Sequence, residues 1–439
     1  MHTLVCDACG ASVPYPPAPD SPRDRPSPRC DCGGPRWFET PAGRLEEFTW
    51  PDDLDARMWS FAELLPVDPP SEGLATAAGG TPLVRTPTLD EYAGARVSVV
   101  DEGRNPTGSF KDRGSAVGVA LAAAAGADAV GTVSHGNMAM STAAFAAGAG
   151  LDCVVCVPAD VPGERLRNIA RFGPRILRIE GDYGRLYHEA LAIGRERGVP
   201  FINSDTPGRV AGQKTTVLEA LARFRERAGG DLPDAIVMPV SSGGHASGAV
   251  KALRELQAAG LLDDGTRPRL HLVQAAACAP IAEADERGAT RVERVDRGET
   301  IAYSIANPDP PSGTRALRGA RETGGSVVAV DDDAIRDACR RLASAGITAE
   351  SSSATTLAGV RLLARRGTVT ADEDVLCVVT GSGFKERLED GAGDEIGADA
   401  VDDDAVDGNA VGGDVVDGDA ADSGTTGRPV ALADLGDRL

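Results

Sequence analysis

Between Arg96 and Thr380 short apolar runs alternate with longer, Ala-rich amphipathic stretches. The runs Val97–Val100, Ala129–Val133, Cys153–Val157, Ile176–Ile179, Ala235–Pro239, Leu270–Gln274, Ser326–Val330 and Val375–Thr380 predict strands. The stretches Asn137–Ala147, Leu186–Arg195, Val210–Arg227 and His245–Gln257 predict helices between them. Strand–helix alternation of this kind predicts a doubly wound α/β architecture with mostly parallel sheets.

The two ends break the pattern. Residues 1–60 hold four of the nine cysteines, all three tryptophans and a Pro-rich run from Pro14 to Pro28. From Glu389 to Leu439 the chain is low in complexity, with Asp, Gly, Ala and Val in loose repeats, and no helical or strand period emerges. This tail is expected to be disordered. Its Asp-x-Asp spacings do not complete a twelve-residue calcium loop closed by Glu.

Composition narrows the function classes. With 439 residues and 42% hydrophobic content the chain can bury a sizeable core, which excludes a wholly disordered protein. Ala116–Ala127, the longest apolar stretch, falls well short of the ~18 residues a membrane span requires. The N-terminus opens on Cys6 and Cys9 instead of a basic, apolar leader, so a cytoplasmic location and no membrane partner are expected. A net charge of −21 repels a phosphate backbone, so no nucleic acid is expected either. Thirteen of the acidic residues lie within Glu389–Asp422, with no basic residue among them. The cations are forty-one Arg and only four Lys. An acidic, Lys-poor surface fits a halophilic cytoplasm, and a GC-rich genome would give the same bias.

Ligands of open α/β sheets sit beyond the carboxyl ends of strands, so the loops there come first. Asn105-Pro106-Thr107-Gly108-Ser109-Phe110-Lys111-Asp112-Arg113-Gly114 places one of the four Lys in a turn-rich segment. Arg cannot lose its proton and so cannot replace Lys where a neutral amine attacks a carbonyl. Ser134-His135-Gly136-Asn137 offers side-chain and backbone donors at a helix start, which is also what an ordinary capping turn would show. Ser241-Ser242-Gly243-Gly244-His245 suits a phosphate cup, since small residues permit close backbone approach and a helix follows. It is neither a Walker loop nor a dinucleotide fingerprint. Thr380-Gly381-Ser382-Gly383 supplies a hydroxyl that can bond a ring nitrogen without protonating it. An amine, a phosphate cup, polar ring contacts and a hydroxyl together suit pyridoxal 5'-phosphate.

The segment from Asn105 to Gly114 resembles the cofactor-lysine motif of the threonine synthases, within the fold type II (tryptophan-synthase-β-like) pyridoxal phosphate family. Thr81-Pro82-Leu83, Gly212-Gln213-Lys214-Thr215, Ala306-Asn307-Pro308, Glu350-Ser351-Ser352-Ser353-Ala354 and Thr380-Gly381-Ser382-Gly383 are similar to further family segments in the same order. The resemblance implies a catalytic core over residues 60–388, built as two doubly wound domains, with a mobile subdomain of about residues 115–205. It implies that Lys111 is joined to the cofactor and later moves protons. Asn137 would contact the ring oxygen, Ser241, Ser242, Gly243, Gly244 and His245 the cofactor phosphate, and Thr380 the pyridine nitrogen. Ser134, His135 and Arg209 would bind the anionic groups of an amino-acid substrate, O-phosphohomoserine, which is converted with water to threonine and phosphate. A homodimer is implied as well. The chain departs from the family at Ser241–His245, at His135 and at Ser382. A threonine/serine ammonia-lyase, another β-elimination or replacement enzyme, and a non-catalytic interaction protein therefore stay open.

Cys6-x-x-Cys9 and Cys30-x-Cys32, each pair followed by Gly, can supply four soft ligands on two tight turns. Residues 1–45 are thus expected to form a small ribbon holding structural zinc, similar to extensions on some threonine synthases, with metal-free cysteines as the alternative. Cys153 and Cys156 alternate with Val on a predicted strand and read as core, as do the isolated Cys278, Cys339 and Cys377.

Overall fold

The computed structural model describes residues 2–16, 24–181, 183–386 and 429–439. Among the described residues thirteen strands form three sheets. The first is antiparallel, in the order β2-β1-β3, from β1 (His2–Cys6), β2 (Ser12–Tyr15) and β3 (Arg36–Phe38). The second comprises β4 (Leu83–Arg85), β5 (Arg96–Asp101), β9 (Ala235–Pro239), β10 (Arg269–Ala275), β11 (Val327–Val330) and β12 (Asp374–Val379). Its order is β11-β10-β9-β12-β5-β4, parallel except for the short edge strand β4. The third is parallel, in the order β13-β8-β7-β6, from β6 (Ala129–Val133), β7 (Asp152–Pro158), β8 (Arg175–Glu180) and β13 (Val430–Ala431).

All eight predicted strands are present, with ends moved by a residue or two, as hydrogen-bonded boundaries commonly do. Parallel strands covered on both faces need unbroken apolar sequence. Along β12, Leu376 and Val378 pack with Leu218, Leu253 and Phe61 on one side. Val375, Cys377 and Val379 pack with Leu357, Val360 and Ile335 on the other.

Two expectations are corrected. The helix predicted over Val210–Arg227 is two, Pro207–Gln213 and Thr215–Arg227, parted at the buried Lys214. There Thr215 Oγ1 donates to the Gly212 carbonyl at 2.6 Å, and the Lys214 ammonium is turned inward to Glu255 at 2.6 Å. The tail expected to be disordered over 389–439 is ordered at its last residues. Val430–Ala431 adds to the edge of β8, and Leu432 and Leu435 are buried with Ile179, Leu186 and Tyr187. These residues carry apolar spacing that the acidic repeats lack; the acidic run Glu389–Asp422 lies outside the described residues.

The helix Lys111–Ala124 crosses the Pro207–Gln213 helix at backbone distance. A Cβ on Gly212 would stand 2.1 Å from the Arg113 carbonyl oxygen, and one on Gly114 2.4 Å from Arg209 Cγ. Only glycines allow this approach, and it fixes the helix whose first residue is Lys111.

Candidate active site

Strand order brings three of the four loops together. β9, β12 and β5 are neighbours in the large sheet, so the loops leaving their carboxyl ends lie side by side although 140 residues separate Ser241 from Asp101. The turn after β12 is laced to the lysine loop: Phe110 N donates to the Thr380 carbonyl at 3.0 Å and Ser382 N to the Gly108 carbonyl at 3.0 Å. The fourth loop, Ser134–Asn137, leaves β6 of the small sheet and reaches this cluster through Asn137.

The lysine loop is held from below by charge. Arg113 is fully buried and donates to Glu102 at 2.7 Å from both Nε and Nη2, and to Glu219 at 2.8 Å from Nη1. Glu102 also accepts from Thr81 at 2.8 Å and Asn105 at 2.9 Å. Asp112 accepts the amide and hydroxyl of Thr107 at 2.6 and 2.5 Å. The motif residues around Lys111 thus build a rigid turn and leave the amine to the cleft.

Lys111 Nζ lies 4.3 Å from the Phe110 ring centroid, and that ring stacks on His245 at 3.9 Å and 11°. Enclosure by protein, then the like charge of Arg209, bring its pKa down to about 7, against a smaller opposing pull from Glu350. Close to half the amines are then neutral at pH 7, the form required for attack on an aldehyde.

Arg209 is placed differently from its expected part in substrate binding. It is fully buried beneath Lys111, where Nη1 donates to the Lys111 carbonyl at 3.1 Å and Nη2 to Thr142 at 2.8 Å. Ser115 and the Ile202 carbonyl take further bonds. With every guanidinium nitrogen bonded to protein, Arg209 braces the lysine and does not present donors to the cleft. Asn137 points its amide at Glu350, at 2.8 and 2.9 Å, and accepts from Lys385 at 2.7 Å. Glu350 and Lys385 are an ion pair at 3.1 Å. Sequence reasoning assigns neither of these two a role in the site. The scarcity of lysine, applied to Lys385 as it is to Lys111, would have found the second.

Thr380 Oγ1 shares a 2.8 Å hydrogen bond with Ser353 Oγ, from the Ser351–Arg365 helix. Ser134 is buried and its hydroxyl accepts from Gly136 N at 3.2 Å; His135 beside it is partly exposed.

The donor set fits pyridoxal phosphate. The helix Gly244–Ala258 starts at the loop without a side-chain cap, so its first amides have no partner within the helix. His245 Nδ1 and Ser109 Oγ are buried without hydrogen-bond partners among the described residues. Gly243 holds φ +86°, a conformation that turns the loop sharply into the helix. Burial, then the cations Lys111 and Arg113, keep the His245 imidazole well below its ordinary pKa and hence neutral. The largest cavity among the described residues, about 350 Å³, lies elsewhere. It runs between Tyr15 and Phe38 of the ribbon and Leu121 and Phe201, and none of the loops above lines it.

At the other end of the molecule the four ribbon cysteines converge, their sulfurs all within 4.8 Å of one another. Cys6–Cys32, Cys9–Cys32 and Cys9–Cys30 stand at 3.5, 3.5 and 3.7 Å. Tetrahedral zinc with bonds of about 2.3 Å spaces its sulfurs by about 3.8 Å. Gly10 and Gly33 close the two turns with amides bonded to Cys6 O and Cys30 O, at 2.9 and 2.8 Å.

Fold and site together define a pyridoxal phosphate enzyme of fold type II. The family model described as "Pyridoxal-phosphate dependent enzyme" matches residues 74–381, and the chain belongs to that family. Its relatives include the threonine synthase of Methanocaldococcus jannaschii, 32% identical over 363 residues, which span 81% of this chain and 88% of that protein. The threonine synthase of Methanosarcina acetivorans is 35% identical over 336 residues, 75% of this chain and 80% of the other. Among solved structures, a threonine deaminase from the source abbreviated T.th. aligns with a TM-score of 0.57 and 26% identity, covering 69% of this chain and 92% of that one. Maize serine racemase, at 21% identity and a TM-score of 0.58 over 70% and 89%, supports the fold alone.

Proposed function

We propose that this chain is a threonine synthase, converting O-phosphohomoserine and water to threonine and phosphate. The observation that carries the reading is the Lys111 amine, brought near a pKa of 7 where three adjacent strand-end loops meet. The threonine synthase relatives support the choice of substrate. Bound pyridoxal phosphate would supply an electron sink for carbanions formed next to the substrate amine. Lys111 would hold the cofactor and carry protons at Nζ. Ser241, Ser242 and the amides from Gly243 to His245 would hold its phosphate. Thr380, oriented by Ser353, would face the ring nitrogen as a hydroxyl, leaving the ring a milder sink suited to elimination and replacement. Asn137 would turn from Glu350 and Lys385 toward the ring oxygen. Ser134 and His135, at the mouth, would bind the substrate's anionic end. A subdomain of about residues 115–205 would close over the cleft and exclude water until it is needed.

The cysteine cage would hold structural zinc and keep the ribbon folded. A homodimer, a cytoplasmic setting and adaptation to salt complete the proposal; among the described residues no helix is long and apolar enough to cross a membrane. The test is a pair of assays on the cofactor-loaded protein. Phosphate release from O-phosphohomoserine, matched by threonine, is expected. Conversion of threonine to 2-oxobutanoate without that release would replace the reading with an ammonia-lyase.

A further inference from the structure

Asp205 is a buried carboxylate outside the cleft on which three parts of the molecule converge. Arg29, the residue before Cys30, is ion-paired to its Oδ2 and also donates to the Pro311 carbonyl at 2.8 Å. Ser312, on the large-sheet side, donates to Oδ2 at 2.7 Å. Tyr187, from the Tyr183–Arg197 helix packed on the small sheet, donates to Oδ1 at 2.6 Å. Burial opposes ionisation of Asp205, but Arg29, Tyr187 and Ser312 more than offset it, and the group titrates below an ordinary Asp.

The neighbours of this carboxylate are the walls of the Ser241–His245 loop. Ser312 N donates to the Ser242 carbonyl at 2.9 Å. A Cβ on Gly243 would lie 2.5 Å from the Ser312 carbonyl oxygen, and one on Gly244 would lie 2.0 Å from that of Ser204. One wall is thus Ser204, adjacent to Asp205 in the chain, and the other is Ser312, hydrogen-bonded to it. Both are pinned through a single carboxylate whose counter-charge comes from the cysteine ribbon. The ribbon is fixed to the large sheet's helices besides: Asp7, between Cys6 and Cys9, pairs with Arg254 at 3.1 Å and with Arg318.

We propose that Arg29 and Asp205 are positioning residues for the cofactor phosphate, through which the metal-bound ribbon sets how tightly the Ser241–His245 loop grips. Neither touches the cleft. Arg29 leads directly into Cys30, so loss of the metal frees the turn that aims its guanidinium, and both walls of the loop relax. The inference rests on reading Ser241–His245 as the phosphate cup.

The test compares pyridoxal phosphate with pyridoxal, which keeps the aldehyde and ring but lacks the phosphate. Full-length apoprotein of the parent, Arg29→Gln, Arg29→Lys and Asp205→Asn is titrated with each, following visible absorbance. Zinc content and thermal midpoint are measured in parallel. Arg29→Gln should weaken pyridoxal phosphate about tenfold, the scale of one charge-assisted hydrogen bond, with pyridoxal unchanged and zinc retained. Arg29→Lys should recover part of the loss, Asp205→Asn should match or exceed it, and chelation of the parent should reproduce it. Two results would overturn the inference while the parent prefers the phosphorylated ligand. One is Arg29→Gln within twofold of the parent for pyridoxal phosphate; the other is an equal loss for both ligands. A parent that binds both ligands equally would instead refute the phosphate-cup reading itself.

Discussion

Replacing Arg113 by Met keeps side-chain volume and removes one charge from a fully buried cluster. Glu102 and Glu219 are 0% and 1% exposed and lose their guanidinium donors at 2.7 and 2.8 Å. The two carboxylates are not left equally stranded. Glu219 retains Arg223 at 2.8 Å, whereas Glu102 keeps only the neutral donors Thr81 and Asn105. Summing three charge-assisted bonds at about 1.5–3 kcal/mol each would overshoot, because Glu102 would protonate rather than stay charged and unpaired. The better measure is removal of one member of a buried pair, about 3–5 kcal/mol, with Glu102 the larger contributor. Denaturant midpoints of Arg113→Met, Glu102→Gln and the double variant form the assay. The double variant should lose well under the sum of the singles, since each single leaves the other group without its counter-charge. Strict additivity, or a loss below about 1 kcal/mol for Arg113→Met, would refute the claim that this cluster holds the lysine loop.

Three further outcomes are expected. Capture of pyridoxal phosphate by the apoprotein should speed up as pH rises through about 7 and then level off, because the neutral amine of Lys111 reacts. Arg209→Met should move that inflection to higher pH, since it removes the like charge that disfavours the ammonium; an unmoved inflection in a folded variant would contradict the placement of Arg209. Deleting residues 429–439 uncovers Leu432 and Leu435, and a loss of about 3 kcal/mol or more should appear as faster amide exchange in β8 and the Tyr183–Arg197 helix. Exchange confined to the deleted residues would count against that packing. Cys30→Ser should lower zinc to well below one equivalent and destabilise the ribbon against proteolysis; metal analysis finding no zinc in the freshly purified parent would remove the basis for that cage.

Much of this protein was legible in sequence because buried parallel strands demand unbroken apolar runs. Val375–Val379 and Ala235–Pro239 could be read without neighbours. The cofactor lysine stood out because the chain has nearly purged that residue, and a group that must lose its proton cannot be exchanged for Arg. Chain order does not reveal that β12 inserts between β9 and β5. Only that insertion makes neighbours of Thr380, Ser241 and Lys111, since hydrogen-bonded strand order is a property of the folded sheet.

Tertiary structure also decided which cations act and which brace. Arg209 and Arg29 are two of forty-one Arg, identical in covalent chemistry. One became a brace beneath Lys111 and the other the counter-ion of Asp205, because burial and partners, not residue type, fix what a guanidinium does. The ordered end of the acidic tail has the same cause. Leu432 and Leu435 acquire meaning only where the small sheet leaves an edge for them to cover.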